Sequence, residues 1–134
     1  MDYREKSIGE VSVFSLAGKM MGDASCATLV KRVDELLGTG VRSVVMDLGD
    51  VQWMNSQAIS HLIACLTKLR RAGGDLRLAR VAGKVDYYLQ LTKLNTVIRS
   101  YAGLQEAVES FTAEPPPAGL PRSLAERRLE ATAF

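Results

Sequence analysis

Up to residue 112, apolar positions recur with two periods that take turns. Val11 and Val13, with Phe14 and Leu16 beside them, suggest a strand, and a weaker one precedes it over 3–8. Gly9 and Glu10 between them suit a tight hairpin connection. The period then lengthens. Cys26, Leu29, Val30, Val33, Leu36 and Leu37 follow the three- and four-residue spacing of one helix face. Asp23 is placed to cap that helix, and Gly38-Thr39-Gly40 to end it. Residues 41–48 centre on the unbroken run Val44-Val45-Met46, which suits a strand buried on both faces. A second helix is predicted from near Ser56, with Ile59, Leu62, Ile63, Leu66 and Leu69 inward. Gln57, Ser60, His61, Lys68 and Arg71 lie largely off that face. Gly73-Gly74 reads as a helix stop, because a strand pattern over 76–79 follows it. A helix over 85–91, a strand over 97–101 and a helix over 104–111 complete the series. This alternation predicts an α/β layer structure around a mostly parallel sheet, made mixed by the opening hairpin, with about five strands and about four helices.

Composition changes the picture at the C-terminus. All four prolines, Pro115, Pro116, Pro117 and Pro121, lie in the last twenty residues. The expected organisation is therefore one domain over 1–112 and a Pro-rich, mobile tail over 113–134. The alternative for the tail is docking on a partner or on a neighbouring copy. Apolar residues make up 47% of the chain, which argues against disorder for the whole. The formal charge of +2, from 17 basic and 15 acidic residues, is too balanced to draw nucleic acid or an anionic membrane by bulk charge. No apolar run is long enough for a transmembrane helix, so no direct membrane insertion is expected. Met1-Asp2-Tyr3-Arg4-Glu5-Lys6 is too polar for a signal peptide, and the expected location is cytoplasmic. Cys26 and Cys65 are far apart and each sits in a helical pattern, as two buried thiols would.

Candidate chemistry is sparse. His61 is the single histidine, and no His/Cys cluster has metal-ligand spacing, so no metal is expected. No GxGxxG or Walker-type loop is present and no acid–base or nucleophile–base pair can be picked out, so neither cofactor nor enzymatic activity is expected. What remains is Trp53-Met54-Asn55-Ser56-Gln57-Ala58-Ile59, between a buried strand and an amphipathic helix. A hydroxyl there stands at the mouth of a helix, where free N–H groups and the positive end of the dipole favour a phosphate. The plainer alternative is that Ser56 or Asn55 only caps the helix, typically worth ~1 kcal/mol. Trp53, Met54, Met20 and Met21 divide between core packing and an apolar partner surface. His61 reads as a surface residue, and Tyr87-Tyr88 as helix packing.

Four segments, in order and at suitable spacing over 8–111, resemble the STAS domain, the family named from sulfate transporters and anti-sigma-factor antagonists. They are Val44-Val45-Met46-Asp47-Leu48 followed by Val51, Arg71-Ala72-Gly73-Gly74-Asp75-Leu76-Arg77-Leu78, Leu91-Thr92-Lys93-Leu94 with Val97-Ile98, and Glu106-Ala107. In the bacterial anti-sigma-factor antagonists of this family the serine loop usually reads Asp-Ser-Ser/Thr-Gly, and the first serine is phosphorylated by a partner kinase. Ser56 matches that serine, while Asn55 stands for the acid, Gln57 for the second hydroxyl and Ala58 for the glycine. The family's Gly-Glu/Arg-Leu-Asp segment appears as Gly18-Lys19-Met20-Met21, with Asp23 two residues beyond the missing acid. The resemblance implies a regulator of transcription that works by partner switching. Unphosphorylated, it would bind an anti-sigma factor or related serine kinase; a phosphate on Ser56 would oppose that binding. The residues expected to meet the partner are Met20, Met21, Asp23, Trp53, Asn55, Gln57, Ser60 and His61. The alternative is a non-phosphorylated STAS scaffold or a subunit of a transport or signalling assembly. A homodimer stays open, and a small-molecule sensor has no motif behind it.

Overall fold

The computed structural model describes residues 1–22 and 24–113. Asp23, expected as a helix cap and a partner contact, and the tail from 114 on lie outside the described residues. The chain opens on the expected hairpin. β1 (Asp2–Ile8) pairs antiparallel with β2 (Val11–Met20), from Ile8 against Val11 to Asp2 against Ala17. There follow α1 (Ala24–Gly38), β3 (Ser43–Met54), α2 (Ser56–Arg71), β4 (Asp75–Ala79), α3 (Gly83–Leu91), a 3-10 turn at Leu94–Thr96, β5 (Ser100–Tyr101) and α4 (Leu104–Ala113). β2 to β5 run parallel, and the strands lie side by side in the order β1-β2-β3-β4-β5.

Parallel strands laid down one after another, with crossovers of one hand, put their connecting helices on one face of the sheet. The core follows this rule. Phe14, Leu16, Val44, Met46, Leu48, Leu76 and Leu78 form one cluster with Leu29 and Val33 of α1, Leu62, Leu66 and Leu69 of α2, and Val85 and Leu89 of α3. On the opposite face α4 brings Ala107, Val108 and Phe111 onto Val11, Val13, Val45 and Ala79. Cover on both sides is why Val44-Val45-Met46 is apolar without alternation. Each such side chain, fully buried, contributes roughly 1.5–3 kcal/mol.

A buried cation joins α4 to the sheet. The Arg77 guanidinium donates to Asp75 Oδ2 at 3.1 Å and to Ser110 Oγ at 2.9 Å, and lies 4.2 Å from the centre of the Phe111 ring. Asp75 Oδ1 also accepts from Arg70 Nε of α2 at 3.1 Å. One carboxylate thus ties β4 to a helix end and to the arginine under α4.

Three expectations needed correction. β3 does not end near Leu48 but continues to Met54, because its register against β2 slips between Ser15 and Ala17 and again between Gly18 and Lys19. Each slip places one extra residue in β3, which breaks the apolar alternation that would have revealed the strand. The last strand is only Ser100–Tyr101; residues 97–99 are irregular and follow the 3-10 turn, which turns Leu94 into the core. Ile63, read as inward, is 39% exposed and sits at the margin of the buried stripe of α2. The glycine stop at 73–74 is as read: Gly73 takes φ +89°, and Gly74 N donates to Leu69 O at 2.7 Å.

Candidate functional site

β2 and β3 end side by side, with Met20 paired to Met54, so the loop before α1 and the start of α2 leave the sheet together. Asn55 joins them. Its backbone is extended, at φ −108° and ψ −179°, and its Oδ1 accepts from Ala58 N at 3.0 Å, which makes it the N-cap of α2. Its Nδ2 donates to Met21 O at 2.9 Å, and its own N–H donates to Met20 O at 3.1 Å. One short amide therefore starts the helix and fixes the neighbouring loop. Asn can do both because it carries an acceptor and a donor on one side chain.

Capping thus falls to Asn55 and leaves Ser56 free of that work. Ser56 is exposed at the first position of α2, and no described residue hydrogen-bonds its hydroxyl. Ala58 N and Ile59 N are taken by Asn55, whereas the N–H groups of Ser56 and Gln57 have no acceptor among the described residues. The first turn of α2 carries no acid, and Lys68, Arg70 and Arg71 fill the last turn. The positive end of this dipole is therefore uncompensated at Ser56.

The other expected contacts distribute as follows. Gln57 is exposed and lies against Gly22, whose φ of +73° and lack of space for a Cβ beside the Gln57 side chain both require glycine. Ser60 is exposed, with its hydroxyl turned back onto Ser56 O at 3.1 Å. His61 is half-buried, and its Nδ1 is enclosed without a hydrogen-bond partner among the described residues. Met21 and Trp53 are 42% and 40% exposed, and the Trp53 ring meets Tyr88 of α3 at 6.3 Å between centroids. Met20 is a correction. It is wholly buried beside Met54, so its side chain belongs to the core and only its carbonyl serves the loop. Tyr87, read as helix packing, is 67% exposed; only Tyr88 of that pair packs.

A second polar cluster lies where β4 ends against the middle of β3. Asp47, buried on β3, accepts from Arg80 Nε at 2.8 Å and from Gly49 N at 3.0 Å. The pairing raises the Arg80 pKa above its ordinary value and holds a residue whose φ of 55° is unusual outside glycine. Sequence reading missed this pair, because an arginine just past a strand carries no spacing signal. Cys26 and Cys65 are free and buried, and burial pushes the Cys65 thiol up to about 12. Among the described residues no group of three or more His, Cys, Asp or Glu could hold a metal ion, and no helix is long and apolar enough to cross a membrane.

Among the described residues, a mixed five-stranded sheet with three helices on one face and one on the other presents a serine at the start of its second helix, which is the arrangement of the STAS domain. The chain belongs to that family, whose sequence model matches residues 4–107. A Thermotoga maritima protein named "Putative anti-sigma factor antagonist" is 29% identical over 76 residues, covering 57% of this chain and 67% of the relative. The crystal structure of the protein so described from that organism superposes with a TM-score of 0.74 at 24% identity, over 81% of this chain and 92% of the other. The Bacillus protein SpoIIAA shares the fold in its unphosphorylated form (TM-score 0.67, 11% identity, 84% and 99% covered) and its phosphorylated form (0.66, 14%, 81% and 97%). So does part of the murine anion transporter Slc26a9 (0.67, 13%), with 81% of this chain matched to 19% of that one.

Proposed function

We propose that this chain is a cytoplasmic, non-enzymatic partner-switching regulator of the anti-sigma-factor antagonist type. Unphosphorylated, it binds an anti-sigma factor with serine kinase activity and so releases another regulator. Phosphorylation of Ser56 ends that binding. The observation that carries the reading is the division of labour at the start of α2. Asn55 does the capping, and the exposed Ser56 hydroxyl stands beside two N–H groups without acceptors. SpoIIAA supports it as a protein of this fold known in both phosphorylation states. A phosphate adds about −1.5 to −2 charges at neutral pH and three acceptor oxygens. At an interface it introduces a desolvation cost, and a tenfold loss of affinity needs only about 1.4 kcal/mol.

The test is co-purification from the source organism, followed by phosphoryl transfer with the captured kinase. Native protein should gain one phosphoryl group at Ser56 by mass spectrometry, and Ser56→Ala none. Incorporation that persists in Ser56→Ala moves the site elsewhere. No incorporation at all, with transporter components among the captured proteins, favours the scaffold reading, for which the Slc26a9 likeness is the supporting observation.

A further inference from the structure

Next to the serine loop the surface changes character. Trp53 and Met21, both about two-fifths exposed, line a groove of about 400 Å³ whose rim carries Lys19 and Lys84. The groove continues onto α3. Lys84, Tyr87, Tyr88 and Leu91 fall at steps of three and four residues and so share one face of that helix. Tyr88 packs on Trp53, while Tyr87 and Leu91 are 67% and 65% exposed. Four large apolar side chains thus stand in water in one strip, Met21 and Trp53 at one end, Tyr87 and Leu91 along α3. Exposed apolar surface gathered in this way marks an interaction site more often than singly scattered residues do.

The charges at its rim have one sign. Neither Lys19 nor Lys84 makes an ion pair with a carboxylate of the described residues, so both ammonium groups are open to a partner's carboxylate. Asp86, the acid of α3, is engaged with Gln90 and lies off the Lys84–Leu91 stripe. An apolar groove with two ammonium groups in its lining, neither paired among the described residues, is complementary to a segment with apolar anchors flanked by carboxylates.

We infer that this groove is a second docking site of the partner and that it takes an acidic amphipathic segment, with an aromatic or aliphatic side chain seated against Trp53 and carboxylates at Lys19 and Lys84. The inference rests on the partner-binding reading above and deepens it. Asn55 links the two regions, since it caps the helix that bears Ser56 and holds the Met21 carbonyl. The serine loop is the regulated part of the interface and the groove its constitutive part.

The test uses the full chain and a phage-displayed library of random peptides. Trp53 is the only tryptophan, so its emission reports occupancy of the groove directly. Panning is expected to enrich peptides that combine two or more acidic residues with a large apolar one. A synthetic peptide from that set, free of tryptophan, should shift Trp53 emission saturably. The Lys19→Glu/Lys84→Glu double variant should bind it at least about tenfold more weakly with an unchanged melting temperature, since both side chains are exposed. Ser56→Ala should bind it like the native chain. Enrichment of basic or neutral peptides, no enrichment over background, or binding that survives the double charge reversal overturns the inference. The two readings fail separately: acidic peptides bound without phosphorylation at Ser56 keep the groove and discard the switch, and phosphorylation without peptide binding does the reverse.

Discussion

At the scale of single residues, the structure separates two neighbours that a sequence pattern cannot. Asn and Ser are both good helix starters, and only the Asn55 Oδ1 to Ala58 N bond decides which of them caps. The expected consequence is an unequal pair of alanine variants. Asn55→Ala should lose about 1–2 kcal/mol, from the cap and from the bond to Met21 O, whereas Ser56→Ala should stay within about 0.5 kcal/mol of the native chain. Urea denaturation of both measures this, and a larger loss for Ser56→Ala would return the capping role to the serine. Asn55→Asp, which restores the family's acid, dissects the asparagine further. It keeps the acceptor for Ala58 N but has no donor for Met21 O. Amide exchange should therefore quicken at Met21 and Gly22 and stay slow at Ala58; equal protection at all three would mean that the Nδ2 bond holds nothing. Cys65 gives a pH dependence. Its thiol is held up at about 12 against an ordinary 9.0, so the unfolded chain releases the proton first. Its contribution is intact below pH 9 and is lost as pH rises toward 12, with a slope approaching about 1.4 kcal/mol per pH unit. Cys65→Ala should flatten the alkaline fall in stability relative to native protein, and identical curves would contradict the assignment.

At the scale of elements, what could be read from the sequence was whatever kept a regular period. α1 and α2 were visible because their apolar spacing is unbroken, and the hairpin because Gly9-Glu10 parts two strand-like runs. β3 was visible only to Leu48, since the two slips against β2 destroy the alternation that marks a strand. Met20 and Met21 show the same limit at the site. The strand register decides which of two adjacent methionines is buried, and that register includes the slips. The strand over 76–79 was legible, but the place of Arg77 was not, because only the packing of α4 on that face buries the arginine. This burial carries a prediction. Arg77→Ala leaves Asp75 enclosed with fewer partners and should cost roughly 3–5 kcal/mol. The double variant Asp75→Asn/Arg77→Met removes both charges and should cost clearly less. Urea denaturation of the two tests it, and equal losses would mean that packing rather than the stranded carboxylate sets the penalty.

At the scale of the whole molecule, the proposed partner surface lies at the end of the sheet where β2 and β3 finish, and the fold should tolerate changes there. Gln57→Glu and Ser60→Glu add charge at exposed positions. They should weaken partner capture without moving the melting temperature by more than a surface change does, about 0.5 kcal/mol in stability. Normal binding by both, with binding lost on changes at the far end of the sheet, would place the interface elsewhere. Removing residues 114–134 is proposed to alter stability by less than about 1 kcal/mol, because α4 already covers its face of the sheet with Ala107, Val108 and Phe111. A larger loss, or a change in sedimentation, would give the tail a place on the body or on a second copy.

The spatial order of the strands bears on how the chain comes to be folded at all. Because β1 to β5 stand in the order in which they are synthesised, no strand has to be inserted between two that are already paired. Each new strand adds to the open edge left by the one before, with a helix between them from β3 on. Contacts then close over short stretches of chain, which keeps the loop-closure cost of each step low and favours rapid folding. Growth from the ribosome proceeds in the same direction. Asn55 can meet the Met20 and Met21 carbonyls as soon as α2 has emerged, before the last two strands exist. The serine loop belongs to the half of the domain that is built first, and the helix closing the second face, α4, arrives last.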